Sequence, residues 1–173
     1  MPRRAGPTQG LWSLGSGLAR RDTNPVIALL KGKAMYDKIL VAVDHSAASD
    51  RALLAARDLA LLSHGEVWVL HLREREMATK TGVVLTDETE SDANAMVSAV
   101  VEKLAEAGVK AHGDVRTTLF GYAARDIVDD AIEHDADVIV MGSRGRSDLA
   151  GFLLGSTAHK VIHLTDRPVL IVR

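Results

Sequence analysis

The stretch "DVIVMGSRGRSDLAGFLLGST", residues 137–157, decides how the rest of the chain is read. It opens on a short β-branched and aliphatic run, 137–142, with the length and composition of a buried strand. It closes on Gly155, Ser156 and Thr157, near the start of "LLGSTAHKVIHLT" (153–165), a segment that repeats its apolar residues as a helix does. Gly142, Gly145 and Gly155 punctuate the interval. Glycine suits neither helix nor strand, so these positions mark sharp turns or places where something comes close to the main chain.

Outward from this strand, loop and helix, the same alternation recurs. "KILVAVD" (38–44) reads as a first strand, and "SDRALLAARDLALLSHG" (49–65) as a helix with Leu53, Ala56, Leu59, Ala60 and Ser63 at helical spacing. "EVWVLHL" (66–72) is a second strand, and residues 73–87 read as irregular and polar. "ANAMVSAVVEKLAEAG" (93–108) places Met96, Val97, Val100, Val101 and Leu104 on one helical face. "VKAHGDVRTTL" (109–119) is a weaker strand interrupted by Gly113. "AARDIVDDAIEHD" (123–135) aligns Ala124, Ile127, Val128, Ala131 and Ile132, and "PVLIV" (168–172) is a closing strand. The order is β-α-β-α-β-α-β-α-β without an internal repeat. Strands apolar throughout, rather than alternating, belong to a parallel sheet covered by helices on both faces. The pattern predicts a doubly wound α/β domain.

Composition sets further limits. Of 173 residues 47% are hydrophobic and 25% charged, as in a globular domain, while 3% are aromatic, too few for a base-stacking platform. Residues 1–34 hold six basic and one acidic side chain, leaving 15 basic against 22 acidic in 35–173. An acidic body is a poor electrostatic partner for nucleic acid or an anionic membrane. The absence of cysteine rules out disulfides and thiolate metal sites. No run approaches the roughly 18 apolar residues of a membrane span. The expectation is a soluble, cytoplasmic protein with neither a nucleic-acid nor a membrane partner. Residues 1–34 mix Gly, Pro, Ser and Arg without period and are expected to be a disordered extension. Their Arg-rich, acid-poor character admits a transit peptide, and Met35 admits a later start. Both readings put the folded domain at 35–173.

Open parallel sheets take ligands beyond the carboxyl ends of their strands, where strand order reverses. Gly142 ends a strand, and Gly155 and Ser156 begin a helix whose free N–H groups and dipole favour anions. That spacing, G-x2-G-x9-G-S, suits a phosphorylated ligand. Ordinary punctuation accounts for the same residues, with Ser156 as a simple N-cap, and spacing alone leaves both open. Neither a P-loop nor the dinucleotide fingerprint is present.

Taken together, "DVIVMG" with its glycine motif, "KILVAVDHS" and "RPVLIVR" closely resemble the universal stress protein family, over residues 35–173. The resemblance implies a Rossmann-like, five-stranded parallel sheet in the order 3-2-1-4-5. Members with the complete glycine motif bind ATP, so it implies an ATP-binding member. Residue by residue, Asp44 matches an aspartate near the ribose and adenine. Its alternative is a strand-end cap of the next helix. Leu72 matches a position whose backbone reads the adenine edge. Met141, Gly142, Gly145, Gly155, Ser156 and Thr157 match the stretch facing ribose and phosphates. Gly121 matches a common glycine that also suits a turn, and Arg144 and Arg146 fall in the loop, within reach of phosphates. The function implied is a regulatory module of the stress response, signalling through its nucleotide-bound state to a protein partner. A slow ATP-hydrolysing or nucleotidyl-transfer enzyme, with Mg²⁺ bridging the phosphates, and a nucleotide-free interaction module are the alternatives.

Rival constellations are weaker. His159 and His163 share a helical face but lack a third metal ligand in sequence. Asp129, Asp130 and Glu133 read as the solvated face of the third helix, and "HLREREM" (71–77) as a solvated mixed-charge run. "DHS" (44–46) cannot form a catalytic relay from adjacent residues, so no catalytic residue is assigned. In the implied strand order "PVLIV" is an apolar edge strand, and family members commonly dimerise there, so a homodimer through it is expected.

Overall fold

The aliphatic runs form the centre of a twisted sheet, and the segments between them form its helical layers. The structure is a computed structural model that describes residues 36–77, 84–85, 88–145 and 154–173. The extension assigned to 1–34 lies outside the described residues. The elements are β1 (Lys38–Val43), α1 (Ala47–Ser63), β2 (Glu66–Met77), β3 (Val84–Leu85), α2 (Glu90–Glu106) and β4 (Lys110–Leu119). They continue with α3 (Ala123–Glu133), β5 (Val138–Gly142), α4 (Ser156–Leu164) and β6 (Val169–Val172).

Five strands pair in parallel in the order β4-β2-β1-β5-β6, which is 3-2-1-4-5 when the principal strands are counted along the chain. Two features depart from expectation. β2 continues through the polar run to Met77, and β3 pairs antiparallel with its end. The reason is register. β4 matches β2 residue for residue from Glu66↔Lys110 to Arg75↔Leu119, so a shared ladder holds residues that propensity alone would leave irregular. Nor is that run solvated throughout: His71 and Arg73 are 2% and 7% exposed.

α1 and α2 cover one face over Ile39, Val41, Val67, Val69, Val138 and Val140, and α3 and α4 cover the other over Leu40, Leu70, Ile139 and Met141. Burying each large aliphatic side chain stabilises the fold by about 2 kcal/mol. The contribution is therefore concentrated in β1 and β5, whose residues are buried on both sides. α1 presents a column of small residues, Ala48, Ala52, Ala56 and Ala60, that brings its axis close to the sheet, with Leu53 and Leu59 at its flanks. Gly113 has a similar cause. A Cβ there would overlap Cγ1 of Val97, so the glycine that interrupts the strand pattern lets α2 lie against β4.

α3 carries a correction. Asp129 and Glu133 are exposed, but Asp130 is fully buried, and Ile132, expected in the core, is 57% exposed. Asp130 faces Arg116 of β4, whose Nη2 lies 2.5 Å from Oδ1. Arg116 directs its hydrogens to Asp114 (2.9 Å) and Glu133 (2.8 Å) and meets Asp130 through charge. Burial raises the Asp130 carboxyl above its ordinary value, against the pull of Arg116 and His134.

β6 also differs from expectation. It is half-buried rather than covered on both faces, and Leu170 is 40% exposed. α1 packs chiefly on β1 and β5 and leaves this edge partly open. No helix among the described residues is long and apolar enough to cross a membrane.

Candidate functional site

β1 and β5 lie side by side, with Ala42 opposite Met141, and their outgoing helices α1 and α4 pack on opposite faces of the sheet. This is the switch point of the doubly wound fold, and a cavity of about 620 Å³ opens there. Asp44, Leu72, Met141, Gly142, Gly145, Gly155, Ser156 and Thr157 all line it, together with Arg144. Arg146 lies outside the described residues.

The turn after β1 is built by short-range hydrogen bonds. Asp44 Oδ1 accepts from the Ser46 N–H at 3.1 Å, and the Asp44 N–H donates to Ser49 Oγ at 3.1 Å. The N-cap of α1 is Ser46, which accepts from the Ser49 N–H, and not Asp44. Ser46 Oγ also donates to the Arg144 carbonyl at 3.4 Å, which ties this turn to the glycine loop.

Each glycine of the motif lies against another segment. A Cβ on Gly142 would come within 2.9 Å of the Ala48 main chain, and one on Gly145 would meet the Asp44 carboxylate. Gly155, with φ −69° and ψ 157°, is itself the N-cap of α4, which corrects the reading of Ser156 as the cap. Its N–H donates to the Ser143 carbonyl at 2.7 Å, and it has no side chain to close the helix end. The first-turn N–H groups of Ser156, Thr157 and Ala158 thus have no side-chain cap, and the positive end of α4 opens beside both hydroxyls. Gly121, by contrast, adopts φ +87° with open space around it, and serves the turn before α3.

The opposite wall comes from β2. The Glu66 N–H donates to Asp37 on the β1 side, whereas the Arg75 carbonyl accepts from Phe120 beside β4. Along β2, then, the even-numbered residues address β1 through their main chain. β1 stops at Val43, opposite His71, so the Leu72 carbonyl and the main chain of Glu74 run on past it along the cavity. Leu70, Leu72, Ile127 and Met141 make this end apolar. The cavity suits a flat apolar ring at one end and an anion at the other. His159 reaches its rim, with its ring centroid 4.6 Å from that of His163 and the two planes tilted by 59°, and among the described residues no third ligand joins that pair.

One group escaped the sequence reading. His71 extends one ring nitrogen to the Val43 carbonyl at 2.9 Å and Nε2 to Glu88 Oε2 at 2.7 Å, while His45 Nε2 lies 3.2 Å from Glu88 Oε1. Burial would raise the Glu88 carboxyl, but hydrogen bonds from His71 and His45 outweigh it and hold the group below its ordinary value. These residues come from the turn after β1, from β2 and from the lead into α2. No local spacing announces them. The available signal was the histidine inside an otherwise apolar strand, "VLHL".

The match to the universal stress protein family model runs over residues 35–173. Universal stress protein YxiE of Bacillus subtilis is 38% identical over 153 residues, covering 80% of this chain and all of that protein. The universal stress protein from Archaeoglobus fulgidus in complex with dAMP superposes with a TM-score of 0.58 at 28% identity, covering 80% of this chain and 99% of that one. A universal stress protein in complex with cAMP gives 0.60 at 27%, covering 80% and 98%. The family match spans every described residue of the sheet and its helices, and on that ground the chain belongs to the universal stress protein family.

Proposed function

We propose that the cavity binds an adenine nucleotide, ATP foremost, and that the protein is a regulatory module of the stress response read by a protein partner through its nucleotide-bound state. The observation that carries this is the pairing of an apolar, main-chain-edged pocket at the end of β2 with the open N-terminus of α4 across one cavity. Relatives in complex with dAMP and cAMP hold the same two chemical parts, an adenine and a phosphate. Gly142, Gly145 and Gly155 let the end of β5, the turn after β1 and the start of α4 pack closely, and so bring Ser156 and Thr157 to the cavity as hydroxyl donors. Asp44 and Leu72 would serve ribose and adenine, and Met141 would pack on the sugar. Mg²⁺ would accompany the phosphates.

The reading places the protein in the cytoplasm, apart from nucleic acid and membrane, as a homodimer through β6. Parity supports the dimer. The Ile139 and Ser143 N–H groups donate to the Pro168 and Val172 carbonyls, so the main chain of Val169 and Ile171 faces the open edge. Leu170, Ile162 and Leu164 expose apolar surface in β6 and the helix before it.

Denaturing extraction of freshly purified protein, followed by mass spectrometry, tests the ligand. Near-stoichiometric ATP or ADP is the expected result. Gly155→Val, which crowds a branched side chain against Ser143 and Arg144 and so displaces the loop from the N-terminus of α4, should abolish ATP binding in calorimetry with circular dichroism unchanged. Wild-type affinity in that variant would remove the site assignment. Phosphate release at roughly 1 per second or faster would move the protein to the enzyme class.

A further inference from the structure

We propose that His45, His71 and Glu88 form a binding site for a divalent first-row transition-metal ion, of which zinc is the best fit. The site lies on the flank of the cavity and does not depend on the nucleotide reading.

The donor set has the right chemistry. Two imidazoles and one carboxylate suit zinc and its neighbours, whereas magnesium and calcium take oxygen ligands. The three ligand atoms lie within 4.8 Å of one another. Around a tetrahedral zinc with bonds near 2 Å, neighbouring ligand atoms stand roughly 3.3 Å apart. His45 Nε2 lies 3.2 Å from Glu88 Oε1 and His71 Nε2 lies 2.7 Å from Oε2, so the two rings meet different oxygens of one carboxylate, and a small rotation of that carboxylate brings all three side chains to one ion. Three protein ligands leave a fourth position for water or a ligand oxygen.

The supporting shell is in place. A carbonyl only accepts, so His71 Nδ1 carries a hydrogen toward Val43 at 2.9 Å, and that bond fixes the ring with Nε2 toward Glu88. His71 is 2% exposed and cannot reorient into solvent. Arg73, itself buried, donates to the Glu88 carbonyl at 3.0 Å and anchors the carboxylate's backbone.

His45 pairs with the same carboxylate, and its ring meets that of His71 edge-on, so both imidazoles converge on Glu88. The His45 side chain is 44% exposed, yet it is turned inward from a residue at φ +64°, a backbone state few side chains adopt. Its exposure gives an ion a route from solvent to the three side chains. The other grouping of the same kind, Asp114, Asp130 and His134, already has the Arg116 guanidinium against it.

The test uses the full chain, stripped with EDTA and free of nucleotide. Calorimetric titration with Zn²⁺ should give one saturable site per chain. His45→Asn, which tolerates the same backbone conformation, and Glu88→Gln should each weaken it at least about tenfold, since even outer-shell changes cost that much. A His159→Ala/His163→Ala double variant should bind as wild type does. Absence of saturable binding at micromolar Zn²⁺, or binding lost in the double variant and kept in His45→Asn, overturns the proposal. Wild-type protein alone gives a second readout that no folding defect can confuse. Co²⁺ should show the strong visible bands of a four- or five-coordinate site, and a spectrum like that of the hydrated ion overturns the proposal.

Discussion

A Cβ added to Gly145 would stand 2.5 Å from Oδ2 of Asp44, so the glycine loop and the strand-end carboxylate occupy adjoining space. The obstructing atom is the end of a side chain, which yields more cheaply than main chain. Gly145→Ala should therefore leave the fold intact and displace Asp44 from its place in the cavity. ATP affinity should fall at least tenfold, or about 1.4 kcal/mol, with an unchanged melting temperature. Calorimetry showing wild-type affinity would separate Asp44 from ligand binding.

The Arg116–Asp130 pair predicts a different pattern. Arg116→Met strands a buried carboxylate and should cost about 3–5 kcal/mol in denaturant unfolding at neutral pH. Adding Asp130→Leu should recover much of that loss. The loss should also shrink in acid. The folded-state carboxyl lies above its ordinary 3.8, so the folded chain binds that proton more tightly and stability falls as pH rises through the interval above 3.8. Without Arg116 the interval widens. A loss independent of pH would show that Asp130 is not the cause.

Glu88 has the opposite sign. Its folded-state carboxyl lies below the ordinary 4.5, so its contribution is present above 4.5 and disappears as pH falls through the lowered value. In metal-free protein, wild type should be more stable than Glu88→Gln at pH 7, and the two curves should converge in acid. Parallel curves across that range would contradict the assignment.

Ile171 presents its main-chain N–H on the outer side of β6, away from the β5 ladder. Ile171→Pro should shift dimer toward monomer in sedimentation while the β5–β6 pairing survives. A wild-type chain that sediments as a monomer at micromolar concentration would remove the dimer from the proposal.

The family match begins at residue 35. A chain starting at Met35 should melt and bind nucleotide as the full chain does. A melting temperature lower by several degrees would assign residues 1–34 a part in the fold.

The alternation of elements was legible because β1 and β5 are apolar without interruption, and such runs have few other uses, whereas the order of the five strands came from the family resemblance and not from the pattern. The glycine motif was legible as a place, since Gly142, Gly145 and Gly155 each stand where another segment leaves no room for a Cβ or nearly so. What stayed hidden depended on partners distant in sequence. The polar end of β2 is a strand because β4 matches it, Asp130 is inside because Arg116 reaches it, and Glu88 meets His71 only after β2 and α2 have docked. Helical periodicity placed Asp130 by its polarity and Ile132 by its hydrophobicity, and the packed helix reversed both.

Where β2 outruns β1, one wall of the cavity is edged by main chain. The peptide groups at 72 and 74 offer the same atoms in the same places whichever residues other than proline stand there. Side-chain substitution along that wall leaves its acceptors and donors untouched, so drift of sequence at those positions is silent toward whatever the edge holds. Changing its preference requires moving the strand itself, by altering where β1 stops or how β2 and β4 are registered. Divergence at this wall should proceed by insertion and deletion rather than by point mutation.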